Sequence, residues 1–150
     1  MLPLLTCALF LVGCGSKEEA EKSAEASPTP SDILAGTPEV HGTEIKSVEI
    51  TNPLNQEWVA KGHATYDMKC LPCHKLTGDK LVGPGWLGVT KRRTPLWIMN
   101  MVTNVDMMLE KDAEAQKLLE QCLVRMPNQN ITVDETRQVI EFMRNNDGEK

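Results

Sequence analysis

Cys70-Leu71-Pro72-Cys73-His74 constrains this chain more than any other run. Two thiols and an imidazole at this spacing form a covalent attachment site for haem. The thiols add across the two vinyl groups of one porphyrin, and the adjacent histidine reaches the iron from one face. A chain carrying this run has to fold around a large, flat, apolar body. Other uses of paired cysteines fit less well. A thioredoxin-type dithiol needs a βαβ pattern around it, and none is evident. Half a zinc site needs a second Cys or His pair at finger-like spacing, and none follows. A structural disulfide does not require His74 directly afterwards.

Composition points the same way. A chain of 150 residues has room for one domain plus extras. Its aromatic content is 4%, with two Phe and one Tyr, which is thin for a self-sufficient core. A haem relieves that shortage. The net charge of −5 conceals an asymmetry: residues 15–54 hold three lysines against eight acids, while residues 55–150 hold thirteen basic and thirteen acidic residues. The later part lacks the basic excess that nucleic-acid binding needs.

The N-terminus reads as an export signal. Residues 2–12 form an almost unbroken apolar run, too short to span a bilayer. The run ends in Leu11-Val12-Gly13-Cys14, which resembles the lipobox of bacterial lipoproteins. No Lys or Arg precedes it, a departure from that pattern. The resemblance implies that residues 1–13 are a signal peptide and that Cys14 is lipidated. It also implies a place on the periplasmic side of a bacterial cell envelope, where such haems are attached. Residues 14–42, rich in Ser, Glu, Ala, Pro and Thr, bury too little to offset their ordering entropy and read as a disordered acidic tether. Its mean reach is about 30 Å. Residues 43–54 alternate weakly (Ile45, Val48, Ile50) and read as a short strand or an extended arm on the domain.

Residues 55–150 read as the haem domain, helical throughout. A first helix runs from Asn55 into the cysteine motif, with Val59, Gly62 and Tyr66 on related faces. Gly78, Gly83, Pro84, Gly85 and Gly88 mark an irregular loop. Pro95 starts a helix carrying Trp97, Ile98, Met101, Val102 and Val105 on one stripe. Asp112 caps another, with Leu118, Leu119, Cys122 and Leu123 inward. Thr132-Val133-Asp134-Glu135 is a capping box opening the last helix, which carries Val139, Ile140, Phe142 and Met143.

The second iron ligand comes from His63 or a methionine. Met99, Met101 and Met143 lie on helical stripes, where packing is their ordinary role. Met107 and Met108 fall between two helices. Met126 precedes Pro127 in an irregular stretch, 52 residues beyond His74, and suits a loop that presents a side chain across a flat cofactor.

These residues resemble the class I, small single-haem cytochromes c. The likeness rests on Gly62-x-x-x-Tyr66-x-x-x-Cys70-x-x-Cys73-His74, on Val82-Gly83-Pro84, on Met126-Pro127 and on a terminal helix ending near Phe142. It covers about residues 55–146. It implies an all-α fold of four to five helices around one covalent haem, with the first and last helices crossing near Gly62. Cys70 and Cys73 would hold the porphyrin, and His74 and Met126 the iron. Pro84 would lie in the loop whose carbonyl holds the histidine. Lys91-Arg92-Arg93-Thr94-Pro95-Leu96-Trp97 also looks like a run in cytochromes of respiratory and denitrification systems.

The expected activity is single-electron transfer between redox partner proteins, feeding a reductase or terminal oxidase, with no bond chemistry. An imidazole and a thioether together leave no open iron position. The alternative is a gas sensor or peroxidase-like domain with an exchangeable sixth position. Arg93 and Trp97 are expected beside the haem, with an arginine on a propionate. Lys91 and Arg92, together with Lys69, Lys75 and Lys80, are expected to favour an acidic partner. Cys122 reads as a buried small hydrophobe, and the protein as a membrane-tethered monomer.

Overall fold

The structure is a computed structural model that describes residues 42–150. The expected signal peptide, the expected lipidation site at Cys14 and all of the expected tether except Gly42 fall outside the described residues. Asn55 starts the first helix, α1 (Gln56–Thr65), by accepting a hydrogen bond from Trp58 N. The helix then widens into a five-residue π turn, Tyr66–Cys70. Such turns favour functional sites, because the extra residue redirects the side chains that follow. Here it delivers the haem-attachment motif, and both Cys73 N and His74 N donate to Cys70 O.

Five further helices follow: α2 (Val89–Arg92), α3 (Pro95–Thr103), α4 (Val105–Lys111), α5 (Ala113–Cys122) and α6 (Val133–Asn146). Pro95 is the first residue of α3, where its missing N–H costs nothing, and Thr94 caps it. Asp112 accepts from Ala115 N at the start of α5. Thr132 and Glu135 complete the capping box of α6 reciprocally. Among the described residues no strand forms; one isolated bridge pairs His74 with Lys80. None of these helices is long and apolar enough to cross a membrane.

The fold is the expected all-α arrangement, with three local differences. Among the described residues six α-helices form where about four to five were expected. Asn104, with φ −145° and ψ 49°, breaks the stripe from Pro95 to Val105 into two helices, and residues 89–92 add a single turn. Met107 and Met108 therefore lie within α4 rather than between helices. Leu123 is 85% exposed instead of inward, because it ends α5 in the left-handed region at φ 59°.

The core forms where α1 crosses α6. Tyr66, Val139, Ile140, Phe142 and Met143 meet Ile98 and Met99 of α3 and Trp86 of the loop before α2. A Cβ on Gly62 would lie 2.0 Å from Gln138 O and 2.9 Å from Phe142 Cβ, so two helix backbones touch at this point. The ring of His63 stacks on Phe142 at 4.7 Å, and Tyr66 packs between Phe142 and Trp86.

Residues 43–54 are an extended arm, not a strand. Ile45 exchanges two 2.9 Å hydrogen bonds with the Asn100 amide of α3. Further along, Thr51 N and Oγ1 both donate to Glu141 Oε1, and Arg144 Nη1 donates to Thr51 O and to Glu141 Oε2. Glu141 is 1% exposed, so Arg144 is the cation that compensates a buried carboxylate. Arg144→Met is therefore expected to destabilise the domain by about 3 kcal/mol, read from the chemical denaturation midpoint. A loss below about 1 kcal/mol would show that water, not Arg144, satisfies Glu141.

Candidate haem site

Between the proximal loop and α3, α5 and α6 lies an open-sided cavity of about 390 Å³. His74 enters it from the end of the attachment motif. Its Nδ1 lies 2.9 Å from Pro84 O. A carbonyl can only accept, so Nδ1 carries the proton and the Nε2 lone pair is left for a metal. A Cβ on Gly83 would lie 2.4 Å from His74 Cε1, so only glycine lets the loop lie against the ring. Tyr66 Oη donates to His74 O at 2.8 Å, fixing the backbone that carries the imidazole. The π turn obscures that contact in the sequence, because it breaks the helical spacing between residues 66 and 74.

Burial lowers the His74 pKa below the ordinary imidazole value of 6.5, with the bond to Pro84 opposing the shift. A folded-state value below the unfolded one means that protons favour the unfolded chain. In the haem-free chain, whose imidazole is not bound to iron, stability should therefore be complete above about pH 6.5 and decline as pH falls toward the lower folded value. Denaturation midpoints across that window test this. A flat profile would mean that His74 titrates alike in both states.

Cys70 and Cys73 are not joined in a disulfide. Burial, and secondarily the neighbouring Cys73, push the Cys70 thiol up to about 11. A redox dithiol needs the opposite shift, toward thiolate. Nor do three or more His, Cys, Asp or Glu side chains converge anywhere among the described residues, as a zinc site of such ligands would need.

The rest of the cavity is an apolar slot. Trp86, Val89, Ile98, Val102, Leu109, Leu118 and Leu119 wall it, and its cations are Arg92, Arg93 and Arg125. Arg93 stacks over the Trp97 ring at 4.9 Å and donates to Glu114 at 3.0 Å, while the buried Trp97 Nε1 has no hydrogen-bond partner among the described residues. Apolar walls, an unpartnered indole donor beside an arginine, and an imidazole with a free nitrogen fit a porphyrin bearing carboxylates. The pair of thiols fits its vinyl groups.

Of the expected site residues, Cys73, His74, Pro84, Arg93, Trp97 and Met126 all line this cavity, and Cys70 is buried one turn before it. His63 does not line it; its side chain is half exposed and lies 3.7 Å from Asp67. Met101, Met143 and Cys122 do line it. Cys122 is half-buried at the cavity wall, not a buried core residue, because α5 ends there and the chain turns away. The basic cluster also divides. Arg92 donates inward to Leu87 O and Gly85 O, Arg93 pairs with Glu114, and Lys91 stays exposed.

A small all-helical domain that offers two thiols, a proximal imidazole and an apolar slot is that of a protein built around covalently attached haem. Residues 59–147 match the sequence model of cytochrome c, and the chain belongs to the cytochrome c family. It is a haem-based electron carrier with a covalently bound c-type haem. Cytochrome c from Rhodothermus marinus is similar in structure: TM-score 0.67 and 24% identity, covering 73% of this chain and 91% of that one. An engineered form of that protein, Rma TDE, gives 0.66 and 23%, covering 73% and 92%. The same engineered protein bound to a carbene intermediate gives 0.63 and 23% over the same shares. No curated protein matches the chain.

Proposed function

We propose that His74 and Met126 hold the iron from opposite faces and that the protein carries single electrons without bond chemistry. The observation that supports this reading most is that both side chains line one cavity, with the His74 Nδ1 proton committed to Pro84 O. Met101 and Met143 share the cavity but sit on helices α3 and α6. Met126 lies on the irregular stretch after α5, with Pro127 behind it, and can turn toward a cofactor without unwinding a helix. When bound, haem supplies a one-electron couple whose potential an axial thioether raises. The chain's own part is to hold that cofactor in an apolar slot, keep the imidazole in one tautomer, and place Arg93 and the Trp97 indole where carboxylates need donors.

Partner docking is assigned to the cavity mouth. Val82 and Val124 line the cavity at 39% and 52% exposure, beside the exposed Leu81 and Leu123. Lys80 Nζ donates to Gln121 O and joins the proximal loop to the last turn of α5. An apolar mouth with Lys80 at its edge suits a reductase or terminal oxidase with an apolar, acid-fringed docking face. Lipidation at Cys14 and a periplasmic address complete the proposal, and the tether lets the domain move between donor and acceptor.

The test is spectroscopic. Ferric protein is expected to show the sulfur-to-iron charge-transfer band, and ferrous protein to leave carbon monoxide unbound. Rapid carbon monoxide binding by the unaltered protein would overturn the carrier reading in favour of an exchangeable sixth position. One observation favours that second reading: Arg125, the residue before Met126, is anchored by a solvent-exposed ion pair to Asp106.

A further inference from the structure

The carbonyl that orients His74 belongs to a loop with little stiffness of its own. Residues 83–88 include Gly83, Gly85 and Gly88. Backbone bonds from Gly83 N to Cys73 O and from Trp86 N to Lys75 O keep the loop in register with the histidine segment. They do not tie either strand of the loop to the rest of the domain. Side chains at the far end of α6 do. Asp147, 8% exposed, accepts from Gly88 N, from Thr90 N at 2.8 Å and from Thr90 Oγ1 at 2.6 Å. It thereby caps α2 from a distance, because Gly88 at that helix start has no side chain with which to cap it. Next to it, Asn146 Nδ2 donates to Leu76 O, two residues after His74. From the other side, the Arg92 guanidinium donates to Gly85 O and Leu87 O.

The geometry points to Asp147 as a positioning residue for the proximal histidine, with Arg92 closing the same clamp. Through α2 and the loop, the pair holds Pro84 O against His74 Nδ1, and so fixes the ring's tautomer and its electron donation to the iron. This rests on the proposed reading of His74 as an iron ligand.

Asp147 and Arg92 carry opposite charges, and this makes the idea testable. If each acts only as a charge at a distance, Asp147→Ala and Arg92→Met shift the haem midpoint potential in opposite directions. If both hold the loop, each loosens the same hydrogen bond. The deciding readout is exchange of the His74 Nδ1 proton with solvent, followed by NMR in the diamagnetic ferrous holoprotein. Both variants are expected to speed that exchange by about tenfold, the effect of losing roughly one hydrogen bond's worth of protection. Unchanged exchange in both variants, whatever their potentials do, would overturn the assignment. Should Asp147→Ala fail to retain haem, Thr90→Val keeps the carboxylate and its charge and removes only the hydroxyl bond. A smaller acceleration is then expected, and none would overturn the assignment. The unaltered protein separates the two levels of the claim. His74 ring protons without a large porphyrin ring-current shift would remove the ligand reading itself, whereas a normal shift with unmoved exchange would remove only the clamp.

Discussion

Met126→Ala is expected to open the iron to outside ligands while leaving the covalent haem in place. The ferrous variant should bind carbon monoxide, and the ferric variant should lose its sulfur-to-iron band. The midpoint potential should fall on the order of 0.1 V, a fraction of the roughly 0.8 V range over which axial ligands move haem potentials. The direction follows from the thioether's preference for the reduced metal. Met101 and Met143 line the same cavity and make this a sharp test. If either is the true ligand, Met126→Ala keeps the band and the potential, and the corresponding alanine variant loses both.

Gly62→Ala should cripple the fold rather than the chemistry. A methyl at this position would sit 2.0 Å from Gln138 O and 2.5 Å from Gln138 C, both backbone atoms of α6 that no rotamer change can move. The helices must separate, which costs about 3 kcal/mol, at the upper end of what overpacking does. For a domain of this size that lowers the thermal midpoint by on the order of 15 °C. Haem spectra below the transition should stay normal, since Gly62 does not line the cavity. A variant as stable as the parent would mean that the two helices have room to part freely.

Features with a local chemical signature were legible from the sequence. The capping box at Thr132 and Glu135, the Asp112 cap and Pro95 at the head of α3 read directly, because each satisfies backbone donors within a few residues. The haem motif read for the same reason, and the resemblance that starts from it names several residues that line the cavity, His74, Pro84 and Met126 among them. What did not read depends on partners far along the chain. Arg92 is a nearer case: it stays exposed, but its guanidinium reaches back to Leu87 O and Gly85 O, a loop contact that residue spacing does not reveal. Nothing local marks Asp147, because its partners are residues 88 and 90. Cys122 has helical spacing from Leu118 and Leu119, and spacing alone cannot show that their shared face lines a cavity rather than a packed core.

The arm at residues 43–54 also determines where a mechanical pull on the preceding segment would go. Tension from that side meets the Asn100 amide first and then the Thr51, Glu141 and Arg144 knot. Both are anchored in α3 and α6, the helices that also wall the cavity and, through Asn146 and Asp147, hold the His74 loop. A pull on residues 43–54 would thus load two of the helices that wall the cofactor crevice.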